Sequence, residues 1–69
     1  MRVTAENKET VESFMNILIG IGLEDEAEGI VLMMDTLEQM DKMVEFIEGN
    51  QKADKREYLN KAGEIILKS

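Results

Sequence analysis

Three glutamates alternate at Glu24, Glu26 and Glu28, Gly29 follows directly, and Val31 and Asp35 stand eighth and twelfth in the window that Glu24 opens. Carboxylate oxygens at the first, third and fifth places, a glycine at the sixth and an acid at the twelfth echo the EF-hand loop, which wraps a calcium ion in this way. The chemistry fails residue by residue. Such loops take the shorter Asp or Asn at the early positions and a bidentate Glu at the twelfth, whereas this window reverses the two lengths, and Leu32 offers no oxygen at the ninth. A simpler account makes the acids a helix start, with residues 24–28 filling the first turn and complementing the positive end of the helix dipole.

Other chemistry is equally poorly served. The chain has no His and no Cys, which removes the commonest general base, the thiol nucleophile, the disulfide and the usual soft metal ligands. It has no glycine-rich phosphate loop, and paired carboxylates on exposed helices keep ordinary pKa values unsuited to acid–base catalysis. We therefore expect neither an enzyme nor a cofactor or metal site.

The elements that position these residues follow from periodicity. With no proline, three aromatics and 43% hydrophobic residues, the composition is that of a helical globular chain. Val11, Phe14, Met15 and Leu18 recur at i, i+3, i+4 and i+7, predicting a helix over residues 7–19 that Thr4 or Asn7 caps and Gly20 and Gly22 stop. The alternation of Ile17, Ile19 and Ile21 also suits a short strand, but two glycines weaken it and there is no second strand to pair with. Asp54 and Glu57 form a capping-box pattern ahead of Tyr58, Leu59, Ala62, Ile65 and Ile66, predicting a last helix over residues 55–67. Gly49 and Asn50 open the polar connection before it.

The middle admits two readings. Ile30, Met33, Leu37, Met40, Val44 and Ile47 fall on alternating three- and four-residue steps, the seam of one long helix over residues 24–48. Ala27, Val31, Met34, Met43 and Phe46 widen that face beyond a coiled-coil seam, and Asp35 with Thr36 competes for backbone hydrogen bonds in a helix interior. Thr36 and Gln39 make a capping box instead. We favour two helices, over residues 24–34 and 37–48, hence an all-α fold in which four short helices form a compact bundle within one domain spanning residues 1–69. The expected core is Val11, Phe14, Met15, Leu18, Ile21, Ile30, Val31, Met34, Leu37, Met40, Val44, Ile47, Tyr58, Leu59, Ala62, Ile65 and Ile66.

Charge bounds the partners. The net charge is −7 and unevenly placed: residues 1–51 hold three bases against twelve acids, a balance of −9, and residues 52–69 hold five against three, a balance of +2. Affinity for nucleic acid needs clustered Lys and Arg, which only residues 52–56 approach. No stretch is apolar enough for a membrane span or a signal core, and the absence of Cys fits a reducing compartment, so a cytoplasmic location is expected.

Two features remain for function. Met33, Met34, Met40 and Met43, four of six methionines, cluster as adaptable groove formers do, although such residues more often simply fill a core. Glu24, Asp25, Glu26, Glu28, Glu38, Asp41, Glu45 and Glu48 make an acidic face, which keeps a small protein soluble or steers a basic partner. The expected function is a non-enzymatic interaction module that binds a basic protein or a second copy as a homodimer, through Glu24, Asp25, Glu26, Glu28, Glu38, Asp41 and Glu45 with Met33, Met43 and Phe46. A helix-turn-helix regulator is the alternative, since little loop separates the middle helices, but its recognition helix would carry four acids against Lys42. A small structural homo-oligomer is a further one. Calorimetric titration should find no calcium binding tighter than roughly 10 μM, the range of sensor loops, and a tighter constant would reinstate the loop reading.

Overall fold

Helix boundaries follow from where backbone groups find substitute partners. The computed structural model describes residues 1–68, and among them the fold is all-α, with four helices: α1 (Lys8–Gly20), α2 (Ala27–Met33), α3 (Leu37–Gly49) and α4 (Lys55–Leu67). Thr4 and Asn7 satisfy each other ahead of α1, the Thr4 N–H donating to Asn7 Oδ1 at 2.7 Å and the Asn7 N–H to Thr4 Oγ1 at 3.3 Å. At the other end Gly22 turns left-handed with φ of 91°. The Leu23 N–H then reaches the Leu18 carbonyl at 2.9 Å and the Gly22 N–H reaches that of Ile19 at 3.1 Å, the paired bonds of a Schellman stop. Leu18 and Leu23 are both fully buried, the apolar contact that accompanies this motif.

The single long helix over residues 24–48 is not formed. Met34 and Thr36 are extended, with ψ of 135° and 158°, and α3 restarts behind a full capping box. The Gln39 N–H donates to Thr36 Oγ1 at 3.2 Å, and Gln39 Oε1 accepts from the N–H groups of both Thr36, at 3.3 Å, and Asp35, at 2.6 Å. Gln39 Nε2 donates onward to the Ile65 carbonyl near the end of α4, at 3.4 Å. This one side chain, only 4% exposed, links the α2–α3 corner to α4. The α3–α4 corner is tied by Tyr58 OH, which donates to the Asn50 carbonyl at 2.7 Å, while Asn50 Nδ2 donates to that of Phe46 at 2.8 Å. Asp54 caps α4 by accepting from the Glu57 N–H at 2.9 Å.

α1 packs on α2 and α3, and α3 packs on α4. The Cα radius of gyration is 11.0 Å, which is what a compact chain of this length gives, about 11 Å. Several expectations change. α2 begins at Ala27, so residues 24–26 form a turn before the helix and only Glu28 lies in its first turn. Leu23, Ala27, Met43 and Gln39 join the core; Met15, Ile21, Val44, Leu59 and Ile66 are half-buried at its edge, and Leu37 is 42% exposed. Leu37 opens α3 beside the cap, where the side chain points past the end of the bundle rather than into it. Met43, expected as an exposed partner contact, is 0% exposed. It stands three residues after the buried Met40 and four before the buried Ile47, so it shares their inward stripe.

Thr36→Ala should lower unfolding free energy by about 1 kcal/mol in urea titration, the usual loss for an N-cap, and a stabilised variant would show that the cap does not hold the break. Gly22→Ala should lower it by about 1–2 kcal/mol because alanine resists the left-handed region. Gly20→Ala, inside α1 with open space around the added Cβ, should be neutral or stabilising by calorimetry.

Candidate functional site

The acidic residues singled out by sequence fall on two elements. Glu24, Asp25 and Glu28 are exposed around the start of α2, and Glu38, Asp41 and Glu45 are exposed along α3, where Lys42 stands 3.9 Å from Glu38. Glu26 differs from them. It is half-buried, its Oε2 lies 2.9 Å from Lys55 Nζ at the head of α4, and its Oε1 is out of solvent with no hydrogen-bond partner. The hydrogen bond to Glu26 holds the Lys55 ammonium above its ordinary 10.5, helped by the charge of Glu26 and then by those of Asp25 and Glu24. The pair therefore marks a spot where three acids, Glu24, Asp25 and Glu26, act on one lysine.

The apolar members of the set separate. Met33 is 64% exposed, and so is its neighbour Leu32. Met43 belongs to the core, and Phe46 is half-buried, its ring edge-on to Tyr58 at 6.2 Å between centroids with Lys61 Nζ 5.5 Å from its own centroid. Phe46 is therefore already engaged within the fold by Tyr58 and Lys61.

What the sequence reading missed is a groove. Glu26, Gly29, Ile30 and Met33 from α2 face Leu59, Ala62, Gly63 and Ile66 from α4 across an open trench of about 330 Å³. Both rows run at i, i+3, i+4 and i+7, one face of each helix. The Glu26–Lys55 pair closes one end, so the two helix N-termini lie together there and Met33 and Ile66 line the other end. A Cβ built on Gly29 or Gly63 meets nothing within 4 Å, and neither residue has positive φ. Neither packing nor backbone geometry thus demands glycine, although glycine in a helix interior costs about 1 kcal/mol relative to alanine. The available signal was the stripe of Leu59, Ala62, Gly63 and Ile66, which reads equally well as core-facing; half-burial of Leu59 and Ile66 reflects their place on the groove wall.

A second recess, of about 230 Å³, lies between α3 and α4 and is lined by Gln39, Lys42, Lys61, Glu64, Ile65 and Lys68. Its lysines are largely answered: Glu64 lies 3.2 Å from Lys68 and 3.6 Å from Lys61. The hydrogen bond from Lys68, then the charge of Lys61, holds the Glu64 carboxyl below its ordinary 4.5. Each lysine of the recess therefore already has an acid partner, Lys42 having Glu38 at 3.9 Å.

Among the described residues no three His, Cys, Asp or Glu groups converge as ligands for a metal ion, and no helix is long and apolar enough to cross a membrane. The groove's one titratable lining residue is Glu26, so what it offers is apolar contact with an anionic end. No protein-family model matches the chain, and neither a curated protein nor a solved structure does.

Proposed function

We propose that the protein is a non-enzymatic interaction module that engages a protein partner presenting a basic surface. One observation carries this reading: Met33, 64% exposed like its neighbour Leu32, lines an open apolar groove whose other end is Glu26, with Asp25 and Glu24 beside the same Lys55. A solvated acidic face accounts for solubility without exposed leucine and methionine, whereas apolar side chains beside a groove and rimmed by charge are the composition of a contact surface. The net charge of −7 would draw a basic surface at long range and repel a DNA duplex. The outer face of α3, with Glu38, Asp41, Glu45 and Glu48 exposed, suits a basic protein better than a phosphate backbone.

Self-association is the second reading. The same exposed side chains favour it, and the basic balance of residues 52–69 could meet the acidic remainder of a neighbour. Repulsion between two copies of −7 opposes it.

Purified protein should stay off duplex DNA at about 0.15 M ionic strength, where the screening length is near 8 Å. It should bind a partner recovered by affinity capture, with affinity that falls as salt rises, while light scattering gives the mass of the unbound protein. Submicromolar sequence-specific DNA binding would overturn the proposal in favour of a helix-turn-helix regulator. A strict monomer with no captured protein would remove its support.

A further inference from the structure

An occupant of the α2–α4 groove has to satisfy three features at once. The trench is apolar along its length, with Ile30, Met33, Leu59, Ala62 and Ile66 on its walls. It is kept open by two glycines whose substitution nothing in the fold resists. Its end at the paired helix N-termini is lined by Glu26, and Glu24 and Asp25 add their charges around Lys55 there.

An extended peptide would dock mainly through main-chain hydrogen bonds to an exposed strand. Among the described residues there is no strand, so no strand edge is on offer. A helix needs no such donors, because its own backbone is satisfied and one row of side chains at i, i+3/4 and i+7 fills a trench between two helices. Charge decides which helix. A second copy of this chain brings −7 against −7. A lysine or arginine is attracted to the acids at that end.

We propose that the groove between α2 and α4 docks a basic amphipathic helix of a partner protein, whose apolar row lies over Gly29 and Gly63 and whose lysines or arginines meet Glu24, Asp25 and Glu26. The proposal rests on the interaction-module reading and adds the place and the chemistry of the contact. Gly29 and Gly63 then act as space for the incoming side chains, at the expense of helix propensity. Lys55 is the competitor: an arriving cation takes over part of its ion pair with Glu26.

The test uses the whole protein and two synthetic peptides with the same leucine spacing on one helical face, one carrying lysine at the remaining positions and the other glutamate. Fluorescence anisotropy should give the lysine peptide a dissociation constant of about tens of micromolar, with no measurable binding of the glutamate peptide. Amide chemical-shift changes in the labelled protein should collect on α2 and α4 along the groove. Gly63→Leu, which fills the trench, should weaken binding about tenfold or more, and Glu26→Gln about threefold, while helical circular dichroism is retained. Met33→Gln tests the same wall at an exposed position remote from the core, and should also weaken binding. If Gly63→Leu and Met33→Gln bind the lysine peptide as the parent does, with shifts on the acidic face of α3, the groove assignment fails and the interaction-module reading stands. If neither peptide binds and concentration-dependent shifts mark the groove in a dimer, the occupant is a second copy and the basic-helix assignment is overturned. Absence of all peptide binding by a monomer also overturns it, and the module reading falls with it only if the salt-dependent capture fails too.

Discussion

The bundle depends on the carboxamide of Gln39. Its oxygen accepts from two consecutive backbone N–H groups, those of Asp35 and Thr36, which the break between α2 and α3 would otherwise leave without helical partners. Its nitrogen reaches the Ile65 carbonyl, one of the last of α4, where helix ends run out of intrahelical donors. A buried amide is tolerable only when such groups meet it, since each unmet polar group in the interior costs about 1–3 kcal/mol. Here the donor and acceptor needs of two distant stretches of chain are met by one residue. Replacing it by an apolar residue of similar size would remove the acceptor for the corner donors and the donor for the Ile65 carbonyl, and with them the tie between the α2–α3 corner and α4.

The same economy recurs at the other corners. A chain of 69 residues buries only about 60% of the surface its unfolded form exposes, so no turn can be left to chance. α1 stops through Gly22 and brings Leu23 back onto Leu18; α3 hands over to α4 through Asn50 and Tyr58. The Met1 α-amino group donates to the Val31 and Leu32 carbonyls at 2.6 and 2.8 Å, placing a positive charge at the negative end of α2. α2 is seven residues long, too short to persist without such support.

Much of the fold was legible in the sequence because its helices announce their ends. Thr36 with Gln39, Asp54 ahead of Glu57 and the glycine pair after Ile19 are local signals, and the segments they bound lie where the periodicity put them. α2 was harder. Its acidic approach carries helix-friendly side chains, yet residues 24–26 turn first so that Leu23 and Ala27 can both face inward. Leu23 was readable in principle, as the residue after a glycine stop; Met43 was obscured because the coiled-coil steps pass on either side of it. Of the candidate site, the acids were visible as composition, but the groove was not. It arises where one face of α2 meets one face of α4 some thirty residues later, a juxtaposition that depends on the angle of both corners.

The order of packing has a kinetic consequence. Each helix rests on neighbours close in sequence, α1 on α2 and α3 on α4, and α1 against α3 is the main longer-range seam. Forming two adjacent helical hairpins closes only short loops, so little chain entropy is lost before contacts begin to compensate, and chains of this local topology fold in about microseconds to milliseconds. No proline is present to add a slow isomerising phase. Fast local folding of this kind shortens the time for which Met34, Met40 and Met43, buried in the folded chain, stand exposed to another chain.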